Sequence, residues 1–152
     1  MADTINEGVA LDVDDAPRTG LAPWHFWAVT AVALLWNGFG ALDYTMTQLR
    51  NPAWIGQIPP ETLATIEAAP IWATAAWALG VWGSFAGAVL MVLRSRHAVT
   101  AFMISLIAAA VSFAWQFSAG IVSTPIFPLV ILAAIVFFWW YAAKMRGEGV
   151  LR

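Results

Sequence analysis

Residues 97–143 read HAVTAFMISLIAAAVSFAWQFSAGIVSTPIFPLVILAAIVFFWWYAA and contain no Asp, Glu, Lys or Arg. A lipid core about 30 Å thick is crossed by roughly 20 apolar residues of helix, because free backbone groups find no water there. The interval is more than twice that long, so it reads as two crossings joined by a tight turn. Gly120, Ser123, Thr124, Pro125 and Pro128 mark the turn, since glycine and proline punctuate helices. Two spans follow, at about residues 98–119 and 125–143, bounded by Arg96 and Lys144.

Working outward, the same logic finds two more. Between Glu67 and Arg94 lies IWATAAWALGVWGSFAGAVLMVL, with Pro70 just ahead of it, which gives a span over residues 71–93. Between Arg18 and Asp43, Pro23 opens an apolar run and Trp24 and Trp27 suit the headgroup boundary, which gives a span over residues 23–44. The expected fold is therefore all-α, an integral membrane four-helix bundle over residues 23–144. Residues 1–22 read as a disordered acidic tail and residues 145–152 as a short second tail.

Composition agrees with that frame. Of the 152 residues 61% are hydrophobic and 11% charged, whereas a soluble domain carries about 25% charged residues. A chain mostly used up by spans leaves little for a separate catalytic domain. The net charge of −2 offers no basic surface for nucleic acid. Without cysteine, disulfides, thiolate metal sites and cysteine nucleophiles are excluded. The segment with Asp3, Glu7, Asp12, Asp14 and Asp15 against Arg18 is the reverse of a signal peptide's basic start.

Orientation follows from basic residues near span ends. Arg18, Arg94, Arg96, Lys144, Arg146 and Arg152 fall on one side and Arg50 alone on the other, so both termini are expected in the cytoplasm and residues 45–70 outside. In that external segment Pro60 is placed to open a short helix with Glu61 in its first turn and Leu63 and Ile66 on one face. A connector and a lid both fit it. No repeat relates the two halves, so a duplicated transporter is not supported.

Polar side chains are costly in lipid unless they face the bundle, so the few present are informative. Asn37, Gly40 and Tyr44 share a helical face, flanked by Asp43. Ser105, Ser112 and Gln116 recur on a stripe of the third span. At 1.5 Å per residue, Asn37 and Ser112 both lie roughly 21 Å from their inner ends, in the outer leaflet. Two readings follow. The polar groups join helices by hydrogen bonds of order 1 kcal/mol, or they line an outward pocket for a small polar or cationic group. In the second reading Asp43 is the counter-ion and Tyr44, Trp72 and Trp115 offer aromatic faces.

Gly80, Gly83 and Gly87 put small residues along the second span, which suits close helix packing in the same chain or with a second one. His25 and His97 fall beside Trp24 and Arg96 at the inner boundary. They read as interface residues in preference to a haem-ligating pair. No metal cluster, phosphate loop or activated nucleophile is legible, and no cofactor is expected.

The string from Trp36 to Tyr44, WNGFGALDY, then Pro70-Ile71-Trp72, Gly80 to Gly87 and Ser105-Leu106-Ile107 resemble a group of small bacterial four-span membrane proteins often labelled sugar transporter-like. The resemblance covers most of the chain after the tail and implies four spans in a bacterial inner membrane. Two function classes emerge. The leading one is a non-catalytic bundle that self-associates or serves as an accessory subunit of a larger membrane complex. The other is a small oligomeric transporter or binder of a small polar or cationic solute.

Overall fold

The computed structural model describes residues 21–122 and 124–152. Nearly all of the acidic tail, with Arg18, and the turn residue Ser123 lie outside the described residues. Six helices form: α1 Trp24–Gln48, α2 Pro52–Ile55, α3 Pro60–Glu67, α4 Ile71–Val92, α5 Ala98–Ser118 and α6 Ile126–Gly147. Among the described residues there is no strand. The four long helices are each long and apolar enough to cross a membrane, so the chain is a multi-pass membrane protein with an all-α fold.

Helices α4 and α5 start within a residue of the expected positions. Helix α6 runs on past Ala143 to Gly147, because charge ends a lipid crossing without ending a helix. Lys144 and Arg146 sit in its last turn, where cations meet the negative end of the helix dipole. The short helix α2 goes unremarked in the sequence reading, although Asn51-Pro52 is its signal. The Asn51 side chain accepts from Ala53 N–H at 3.1 Å, and Pro52 occupies the first turn, which caps the helix.

All four long helices end alike. Asn51, Ser95, Ile121 and Val150 donate their N–H groups back to Met46, Leu90, Gln116 and Met145 at 2.8–3.0 Å, the six-to-one closure of a Schellman end. The preceding residue must be left-handed. Gly120 and Gly149 take that role at φ +72° and +73°, and Arg50 and Arg94 take it at +52° and +55°. Both arginines are tied down by their side chains. Arg50 pairs with Glu67 at 2.9 Å, and Arg94 Nε donates to Val150 O at 3.1 Å.

The packed pairs are α1–α4, α4–α5 and α5–α6. The α4–α5 pair is close because the glycines of α4 face α5 of the same chain. A Cβ on Gly80 would stand 3.1 Å from Ala109 N, one on Gly83 3.2 Å from Ser105 Cβ, and one on Gly87 3.0 Å from the Phe102 ring. Ser105, fully buried, donates to the Gly80 carbonyl at 2.5 Å. Close backbone approach thus brings both dispersion and an interhelical hydrogen bond, which lipid leaves as the main forces between helices. Gly40 is different: among the described residues nothing lies within 4 Å of its Cβ position, so no described helix packs closely on it.

The core is densest at the end holding Arg94. Phe26, Met91, Phe102 and Met145 are fully buried there. Phe102 stacks on Phe138 at 6.0 Å, and His25 Nδ1 meets Tyr141 Oη at 2.7 Å, joining α1 to α6. Residues 145–152 depart from a free tail, since Val150 and Leu151 are 4% and 3% exposed and complete this cluster.

Candidate functional site

At the opposite end, α3, α4 and α5 line a small, partly open cavity of about 20 Å³. Its polar floor comes from α5: Gln116 Nε2 donates to Ser112 Oγ at 3.0 Å, and Ser112 is buried. Trp77 and Trp115 form walls, and Ile66 and Ala69 roof it. Tyr44 is set edge-on against Trp77 at 5.0 Å and 87°. The space is enough for about one water.

Above it lies a second, polar recess of about 170 Å³, lined by Thr47, Arg50, Leu63 and Glu67 among others. The two recesses share Ile66 of α3 and Thr74 of α4 and so adjoin each other. The Arg50–Glu67 ion pair fastens the end of α3 to the end of α1. With the two side chains 66% and 39% exposed, solvent screens the pair and its contribution stays small.

Of the residues nominated from sequence, Ser112, Trp115 and Gln116 line the inner cavity and Tyr44 braces its wall. Three stand elsewhere. Asn37 is 4% exposed and donates through Nδ2 to Ala33 O of its own helix at 2.7 Å. Asp43 accepts from Trp54 Nε1 of α2 at 2.7 Å, so its carboxylate anchors the segment between α1 and α4. Trp72 is 55% exposed and does not line the cavity.

Each displacement has a physical reason. Equal depth put Asn37 and Ser112 at one level, but depth does not give neighbour order, and α1 packs on α4, not α5. Ala73, Trp77 and Gly80 share the inward face of α4 by their spacing of three and four, and Trp72 points about 100° away from Ala73. The missed residues are Ala73, Thr74 and Trp77 on α4, Ile66 of α3, and Ala69 and Ile121 in the connections. Trp77 had a signal in its depth and its register with Gly80, and Ile66 had one in the short helix that Pro60 opens, which is α3.

The amides of Asn37 and Gln116 are each bonded within their own helix. Replacing Asn37 or Gln116 by leucine should therefore change stability in detergent by only about 1 kcal/mol. Thermal melting of the two variants checks this, and a loss several times larger would reveal a partner beyond Ala33 O and Ser112 Oγ.

Among the described residues no group of three or more His, Cys, Asp or Glu is placed to hold a metal ion. His25 is engaged by Tyr141, and His97 is exposed at the start of α5. No protein-family model, curated protein or solved structure matches the chain.

Proposed function

We infer that this chain is a non-catalytic bundle of a bacterial inner membrane, with both termini in the cytoplasm, that works by association in the membrane plane. It self-associates or serves as an accessory subunit of a larger complex. The observation that carries this reading is a filled interior. Ser105, Asn37, Gln116 and Asp43 are all bonded within the chain, and the inner cavity holds about 20 Å³. A bundle with so little space beside these groups acts through its surfaces. Gly40, open in this chain, leaves room for a helix of another to approach closely.

Two measurements test the reading. Crosslinking in native membranes should give a defined oligomer or a defined partner adduct, and Gly40→Leu should weaken it several-fold while leaving melting nearly unchanged. An unaltered pattern in the variant would remove α1 from the contact. A reporter fused after Arg152 should behave as cytoplasmic, because Arg94, Arg96, Lys144, Arg146 and Arg152 lie at that end. Activity only on export would invert the topology.

The outer recess favours the second reading, a binder of a small polar or cationic solute. Its roughly 170 Å³ beside Glu67 and Arg50 would admit such a group, with Gln116, Tyr44 and Trp115 beneath α3. A solute that stabilises the wild type but not Glu67→Gln would place the function there.

A further inference from the structure

The end opposite the recesses is closed by a strap. After α6, Gly149 turns the chain, and Val150 and Leu151 enter the core. Arg152 N–H then donates to Arg94 O at 2.8 Å, and Arg96 N–H donates to Arg152 O at 2.9 Å. Arg94 Nε holds Val150 O at 3.1 Å. These bonds make Arg152 and Arg96 immediate backbone neighbours, and both residues are exposed. Lys144 and Arg146 are exposed on the last turn of α6 beside them.

Several cations exposed at one end of the bundle attract an anion to it. Among the described residues the sole carboxylate side chain near this end is Glu148, 3.9 Å from Lys144. The carboxylates of the first 20 residues lie outside the described part. Around the cations the surface is apolar and aromatic: Leu93, Trp24 and Trp140 are 69%, 81% and 54% exposed, and Lys144 Nζ lies 5.9 Å over the Trp140 ring. Cations bordering a lipid-facing collar meet a phosphate and its acyl chains together.

We propose that this end of the bundle binds the headgroup of an anionic phospholipid, with Arg96 and Arg152, registered by the strap, on its phosphate and Lys144 and Arg146 beside them. The proposal rests on the membrane class alone and is independent of the association reading. Leu151 is a positioning residue, since its burial sets Arg152 against the α4–α5 turn.

The test uses the full chain in detergent, titrated with phosphatidylglycerol, phosphatidylcholine and inorganic phosphate, with bound lipid read by native mass spectrometry. Phosphatidylglycerol should bind in preference to phosphatidylcholine. Each charge removed should weaken it about fivefold, so Arg96→Gln with Arg152→Gln loses twentyfold or more. Leu151→Gln should weaken it too, with every charge retained. Melting curves confirm that the arginine variants, altered only on the surface, stay folded. Equal binding of the two lipids, or undiminished binding in the double arginine variant, overturns the proposal. Tight binding of inorganic phosphate with no lipid preference overturns it as well, by showing a free-anion site.

Discussion

Gly80→Leu should lower the stability of the bundle by about 3 kcal/mol, the upper part of the range for overpacking a tight contact. The atoms facing a Cβ at Gly80 are Ala109 N and Cα, at 3.1 and 3.2 Å. Backbone cannot rotate aside, so α4 and α5 must separate, and the Ser105 bond to the Gly80 carbonyl breaks with them. At Gly83 and Gly87 the nearest atoms belong to the Ser105 and Phe102 side chains, so leucine there should cost less. Melting of the three variants in one detergent checks the order. Equal losses at all three would mean that the helices are not held at backbone contact near Gly80.

Leu151→Asp should destabilise by about 3 kcal/mol or more. Leucine at 3% exposure contributes roughly 2 kcal/mol through burial, and a carboxylate put in its place is desolvated in the cluster that holds Phe26, Met91 and Met145. The chain escapes part of that loss only by releasing the strap. Release should appear as protease sensitivity after Gly147 and faster hydrogen exchange at Arg152, whose N–H is otherwise bonded to Arg94 O. A variant that melts like the wild type would show that the strap contributes nothing to the core.

The four crossings were legible because lipid imposes one rule on every residue of a span, and a charge-free run states it without reference to neighbours. Pro70 stands immediately before α4, where its fixed φ suits a helix start, and α5 begins two residues after the boundary charge Arg96. The site was legible only in part. Periodicity put Ser112 and Gln116 on one stripe of one helix, where a single geometry fixes their spacing, and the structure has them hydrogen bonded. It could not say that α1 packs on α4 and that Asn37 bonds within its own helix, since neighbour order is not written in depth. Nor could it join Asp43 to Trp54, a contact that exists only once α2 has folded back against α1.

The strap was hidden for a related reason. Val150 and Leu151 are two apolar residues after Gly147-Glu148-Gly149, too short a run for any periodicity to read. Their burial depends on the turn at Gly149 and on the backbone that Arg94 and Arg96 present. The glycine face of α4 was ambiguous between a partner within the chain and one outside it. Its use against α5 leaves Gly40, on another helix, as the open position.

The association reading stands or falls on the state of the chain in its own membrane. Extraction into native-lipid discs, without detergent exchange, followed by mass measurement and identification of what co-purifies, should give a closed homo-oligomer or a stoichiometric complex. A single chain of 16.5 kDa surrounded only by lipid, with no stoichiometric companion, would contradict it.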